Sequence, residues 1–151
     1  MKNIIIIGIG NPFRGDDGLG WHVTQVLAQT YDASPNISVQ HVQQLTMDLV
    51  EPISQAELII FIDARLGEDI GKVDINTIEL NSSLGSPISH FFDPDTLLSA
   101  VQGLYGEHPE AVVVSVTSNI FDFTEDLSQT IANKIPDVVA IVSDLIDTHL
   151  G

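Results

Sequence analysis

The stretch KNIIIIGIGNPFRGDDGLG, Lys2 to Gly20, decides how the chain folds. Ile4 to Ile7 form an unbroken β-branched run, the pattern of a strand buried on both faces in a parallel sheet. The run ends at Gly8 and Gly10, where the backbone turns without a Cβ penalty. Asn11-Pro12 continues the turn, because Pro12 fixes its own φ and drives Asn11 out of the α region. Beyond the acids Asp16 and Asp17, the apolar period changes to Leu19, Val23, Val26, Leu27 and Tyr31, one face of an amphipathic helix. A buried strand therefore delivers a carboxylate pair to the start of a helix, at the carboxyl edge of a sheet, where open α/β folds place their ligands.

One acid at a helix start is an ordinary N-cap, accepting a backbone N–H and favoured by the helix dipole. Asp16 fits that role, so Asp16→Ala is expected to cost about 1 kcal/mol. A second acid beside it is repelled by the first unless a cation is present. Asp17 is thus the candidate for metal binding or catalysis, and its removal is expected to spare stability.

Outward from this unit, strands alternate with helices. Ile37–Val42 alternates apolar and polar residues, as a strand near an edge does, and Thr46–Ile53 reads as a short helix limited by Pro52. Leu58–Ile62 is a second buried run with Asp63 at its end. Val73–Leu80 reads as a strand with imperfect alternation, and Asn81–Ser89 as a loop with His90 at its far end. Asp93-Pro94 has the form of an N-cap followed by N1, opening a helix with Leu97, Leu98, Val101, Leu104 and Tyr105 on its apolar face. Ala111–Val116 is the last strand. Thr124–Asn133 and Pro136–Leu150 read as closing helices, split at Ile135-Pro136, the second turning Val138, Val139, Val142, Leu145 and Ile146 inward. The pattern argues for an α/β domain with helices on both sheet faces.

At 151 residues, 44% apolar, the chain suits one globular domain spanning 1–151. Five Lys and Arg against 21 Asp and Glu give a net charge of -16, which repels phosphate backbones and anionic membranes. Neither nucleic acid nor a membrane is an expected partner. The absence of cysteine excludes disulfides, thiol nucleophiles and thiolate metal sites. The apolar run after Lys2 breaks at Asn11-Pro12 without a cleavage signal, so a cytoplasmic location is expected.

Several site signatures fail. Gly8-Ile9-Gly10 opens like a dinucleotide fingerprint, but Phe13 stands at the third glycine. Gly67–Lys72 is one residue short of a phosphate loop, and Val73 follows its lysine. There is neither a G-x-S-x-G elbow nor an H-E-x-x-H helix. What remains is Asp17 after the first strand, Asp63 after the third and His90 before a helix. If the first and third strands are neighbours, Asp17 and Asp63 converge where the sheet order switches. An acid closing a run as apolar as LIIFI needs a partner. Two carboxylates and an imidazole suit a borderline divalent metal with open positions; nickel, zinc and manganese all fit. No organic cofactor is indicated.

These residues resemble the nickel–iron hydrogenase maturation proteases. The match is G-x-G-N-P-x-x-x-D-D-G-x-G at Gly8–Gly20, I-I-x-I-D-A at Ile59–Ala64, and S-H before a D-P-capped helix at Ser89–Pro94. It runs in order along nearly the whole chain, including an L-S and Ile-Pro pattern at Leu127–Pro136. The resemblance implies that Asp17, Asp63 and His90 are the metal-binding and activity-critical set. It implies an endopeptidase that removes a C-terminal extension from the hydrogenase large-subunit precursor after nickel insertion, the nickel coming with that precursor. It also implies a three-layer α/β/α, phosphorylase/hydrolase-like fold: a five-stranded, mostly parallel sheet between helices, with the Val73–Leu80 strand antiparallel.

After the second strand the family often has a Gly-Gly-Thr turn, and here Gln43-Gln44-Leu45-Thr46 stands instead, reminiscent of the subset that serves bidirectional, NAD(P)-linked hydrogenases. Two other readings are a peptidyl-tRNA hydrolase, which also opens G-x-G-N-P but needs a basic face, and a non-catalytic nickel-dependent chaperone of the large subunit. On the protease reading His90 must be neutral to ligate. Activity is then expected to fall below its pKa, about 6.5 if unperturbed, with the carboxylates ionised throughout and contributing little to the slope.

Overall fold

The computed structural model describes residues 3–80 and 93–151. The opening run becomes β1 (Ile4–Ile9), followed by a 3-10 turn at Gly15–Gly18 and α1 (Leu19–Thr30). Next come β2 (Ile37–Val42), a 3-10 turn at Met47–Leu49 running into the short α2 (Val50–Ser54), β3 (Leu58–Leu66) and β4 (Val73–Thr77). The described chain resumes before α3 (Pro94–Tyr105), then β5 (Glu110–Ser118), α4 (Gln129–Ala132) and α5 (Ile135–Leu150). The strand order is β2-β1-β3-β5-β4, all neighbours parallel except β4, which runs antiparallel to β5. This is the expected three-layer α/β/α arrangement with a mostly parallel five-stranded sheet.

The period of two along each strand divides the apolar residues between two cores. Ile4, Ile6, Ile60, Ile62, Val112 and Val114 face α1 and α5, meeting Leu19, Val23, Leu27, Val138, Val142 and Ile146. Ile5, Ile7, Ile59 and Phe61 face the other way, onto Leu49, Ile53, Leu97, Leu98 and Val101 of the α2 and α3 side. Because both faces are covered, β1 and β3 read as continuous apolar runs.

Three expectations are corrected. The helix expected over Thr124–Asn133 is only α4; the Thr124 carbonyl instead accepts the Gly15 amide at 2.8 Å, and Arg14 and Thr124 form an isolated parallel bridge. Tertiary hydrogen bonds to the first loop there replace a helical turn, leaving residues 119–128 as a strap across that loop. Leu104 and Tyr105 are 68% and 50% exposed, so α3 packs through its first two turns alone. β3 does not stop at Asp63 but continues to Leu66, held by β5 in register as far as Leu66↔Ser118. The Asp93 cap is as expected: its carboxylate accepts the Thr96 amide at 2.8 Å.

Candidate active site

The loop after β1 can press onto the sheet because of its glycines. A Cβ at Gly20 would sit 2.7 Å from the Ile9 amide nitrogen, so α1 could not start this close to β1 with any larger residue. Gly10 has φ +135°, open to glycine alone, and a side chain there would collide with the Asp17 carbonyl. The Asn11 side-chain carbonyl accepts the Phe13 amide at 2.9 Å, an Asx turn. The Asn11 amide in turn donates to Asp17 Oδ2 at 2.8 Å. The loop thus closes on itself and fixes one carboxylate oxygen of Asp17. His41 on β2 supports it from the side, its Nε2 lying 2.7 Å from the Gly10 carbonyl.

β1 and β3 are neighbours, and their ladder ends at Gly8↔Ile62. Asp63 is therefore the first residue of β3 beyond its ladder with β1. The order β2-β1-β3 makes this the switch point of the sheet. By the strand period Asp63 shares the face of Ile59 and Phe61. Burial pushes its carboxyl from the ordinary 3.8 up to about 7, the Asp17 charge pushes the same way, and a hydrogen bond from the Ala64 backbone opposes both. Asp17 and Asp63 are thus close enough to resist ionising together. The expectation that the carboxylates stay ionised near neutrality is corrected: Asp63 titrates there.

A cleft of about 550 Å³ opens beside Asp63. Ser115, opposite Asp63 in register on β5, forms part of its wall with Asn76, Glu79, Asp93 and Asp95. Burial, and then the neighbouring Asp93, raise the Asp95 carboxyl. Arg65 brings a cation to this acidic wall, 3.7 Å from Asp74. Another cleft, of about 440 Å³, lies at the opposite edge of the sheet beside Leu58, Glu110 and His149, remote from the carboxylate pair.

His90 lies outside the described residues. Among the described residues no group of three or more His, Asp or Glu could by itself hold a metal ion. The Asp17 and Asp63 pair fits a divalent cation in part: it offers hard oxygen donors whose mutual repulsion a cation would relieve, and it needs a third donor from elsewhere.

Asp16 departs from the sequence reading most. It caps neither the 3-10 turn nor α1. Its carboxylate is fully buried and accepts Ser118 Oγ at 2.5 Å, the Ser128 amide at 2.7 Å and Ser128 Oγ at 2.8 Å. Removing it strands three donors, so Asp16→Ala is expected to cost about 3 kcal/mol in chemical denaturation, not the loss of about 1 that a cap implies. Nothing local in the sequence signals Ser118 or Ser128 as its partners, which lie 102 and 112 residues away.

No protein-family model matches the chain, and no curated protein sequence does. Solved structures do. The [NiFe] hydrogenase maturation protease HycI from Thermococcus kodakarensis KOD1 is 23% identical, with a TM-score of 0.75 over 97% of this chain and 93% of its own. The hydrogenase maturating endopeptidase HybD from E. coli is 18% identical, with a TM-score of 0.74 over the same shares. The hydrogenase 2 maturation peptidase from Thaumarchaeota archaeon SCGC_AB-539-E09 is 18% identical, with a TM-score of 0.73 over 97% of this chain and 99% of its own. The chain has the fold of these proteins along nearly its whole length. No described helix is long and apolar enough to cross a membrane.

Proposed function

We propose that this chain is a cytoplasmic endopeptidase that removes the C-terminal extension of a nickel–iron hydrogenase large-subunit precursor once nickel has been inserted. The observation that carries this reading is the Asp17–Asp63 pair at the switch point, beside an open acidic cleft, with Asp63 poised to exchange a proton near pH 7. The fold shared with maturation proteases and the ordered motifs at Gly8–Gly20 and Ile59–Ala64 support it.

In this reading Asp17, Asp63 and His90 dock the nickel that the precursor carries, so the ion belongs to the substrate. Bound there, nickel supplies a Lewis acid for the scissile carbonyl or for water. Asp17 presents a carboxylate already oriented by the Asn11 amide. Asp63, ionised when the cation docks, is the general base proposed to take a proton from the attacking water and return it to the leaving amine. Without cysteine, and without a serine in a nucleophile motif, direct attack by water is the route proposed.

Incubating the purified protein with nickel-loaded precursor should lower the precursor's intact mass by one C-terminal peptide, while nickel-free precursor stays whole. Precursor that is bound but never shortened would favour the chaperone reading and overturn this one. The protein alone should hold metal weakly, since the set has one imidazole and two carboxylates with no soft ligand. After dialysis against a chelator, elemental analysis is expected to find less than about a tenth of an equivalent. A stoichiometric metal surviving that treatment would mean the ion is resident and not brought by substrate.

A further inference from the structure

We propose that Asp16 is a positioning residue for Asp17: with Ser118 and Ser128 it forms a buried clamp that fixes the turn carrying the Asp17 carboxylate. The kinetic consequence rests on the peptidase reading above; the geometric one does not.

The clamp joins three distant parts of the chain. Asp16 sits in the 3-10 turn, Ser118 ends β5, and Ser128 precedes α4. Its side-chain bonds are reinforced by main-chain ones on either side. The Asp16 amide donates to the Ile120 carbonyl at 3.0 Å, and the Gly15 amide to Thr124 at 2.8 Å. The Ile120 amide donates to Ser118 Oγ at 3.1 Å, so the hydroxyl that donates to Asp16 is itself held in place. A fully buried carboxylate is expensive, and apolar contacts could tie a strap to a loop at less cost. What an acceptor with three donors adds is direction.

That direction matters because of the neighbouring residue. In a 3-10 turn successive side chains diverge by about 120°. With Asp16 locked inward onto the serines, Asp17 is turned elsewhere, to where its charge reaches Asp63. Among the described residues the hydrogen bonds of Asp17 stay within the loop: its amide donates to the Arg14 carbonyl at 3.1 Å, and its carboxylate accepts the Asn11 amide. The loop is tied to β2 at Gly10 and to the strap at Arg14, and the anchors next to Asp17 itself are Gly15 and Asp16. The position of Asp17 is thus inherited from Asp16.

Four variants test this: Asp16→Ala, Asp16→Asn, Ser128→Ala, and Val142→Ala as a core control that destabilises α5 away from the site. The asparagine keeps a carbonyl for the Ser128 amide, and its NH₂ can donate to serine hydroxyls that rotate to accept. Cleavage of nickel-loaded precursor is measured at a temperature where all four are folded, and amide hydrogen exchange is followed by NMR. For Asp16→Ala, kcat is expected to fall about a hundredfold relative to Val142→Ala, with KM within about twofold. Asp16→Asn should recover most of it, and Ser128→Ala should lie between. The Asn11 amide, which reports the Asp17 carboxylate, should exchange at least about tenfold faster in Asp16→Ala and be unchanged in Val142→Ala. An Asn11 amide as protected in Asp16→Ala as in Val142→Ala overturns the inference, as does a kcat equal to that control. If Asp16→Ala does not fold, Ser128→Ala and Asp16→Asn decide by the same two readouts. If the native protein cleaves no precursor, the peptidase reading fails, and Asn11 exchange still decides the clamp.

Discussion

Asp63→Asn is expected to abolish precursor processing while making the fold more stable at neutral and alkaline pH. The amide is nearly isosteric with the carboxyl, so Ser115 and the cleft wall keep their places, but it neither titrates nor ligates a cation well. The stability effect follows from the raised pKa. Between the ordinary 3.8 and about 7 the unfolded chain has lost the Asp63 proton and the folded chain retains it. The unfolded state binds fewer protons, so stability falls as pH rises through this window and is level above it. Asparagine removes that slope. The gain above pH 7 is on the order of 3 kcal/mol at most, since relaxation and solvent entry soften the penalty. Urea denaturation of both proteins at pH 5 and pH 8 measures it: the gap between variant and native protein should widen toward pH 8. Cleavage by the variant should drop at least about a thousandfold, the loss expected of a group that acts in both cation docking and proton transfer. Full processing by a folded Asp63→Asn protein would remove this residue from the site. A stability gap independent of pH would show that Asp63 titrates as an ordinary carboxyl.

The parts of this site that the sequence announces are those set by local chemistry. Ile4–Ile7 and Leu58–Ile62 show strands buried on both faces because period-two alternation is lost only when both faces are covered. Gly10 and Asn11-Pro12 show the turn because few other residues adopt those backbone angles, whereas Gly8 lies within β1 and is required by the close approach of Gly20. An aspartate after LIIFI is conspicuous because an acid there is costly without a reason. What escaped depends on contacts between residues far apart in the chain. Asp16 has the local look of a cap, and only the strap from Ser118 to Ser128 shows that it is a buried anchor. The same strap carries Thr124, whose helical surroundings in sequence are overruled by bonds to Gly15. The continuation of β3 past Asp63 is likewise set by β5, not by its own polar residues, Asp63 and Arg65. The ionisation of Asp63 could not be read from its type, since it is fixed by burial and by Asp17, a partner brought near through the β1–β3 pairing.

Affinity for nickel-loaded precursor is expected to fall about tenfold per pH unit as pH drops below 7, because Asp63 must release its proton before it can bind a cation. At and above pH 7 the carboxyl is already ionised in a growing share of molecules, and the curve should flatten. A second loss, from protonation of His90, should set in below its ordinary pKa of about 6.5, steepening the slope toward two. Variants at the two partners separate these contributions. His90→Ala should remove the steeper limb and leave the Asp63 break. Asp17→Asn should move that break downward, since one of the two causes of the raised pKa is gone, yet only partway, because burial is the larger cause and remains. It should also lower the plateau, as one ligand has been lost. Binding of a catalytically inactive complex avoids confusion with turnover, so the measurement is best made on precursor truncated at its tail, by calorimetry in buffers of different ionisation enthalpy. About one proton should be released per complex at pH 6 from Asp63, in addition to any from His90. A binding curve flat from pH 5.5 to 8 would mean that Asp63 does not ligate. A break unmoved by Asp17→Asn would mean that the Asp17 charge is not a cause of the raised Asp63 pKa, and an unchanged plateau would mean that Asp17 does not ligate the cation.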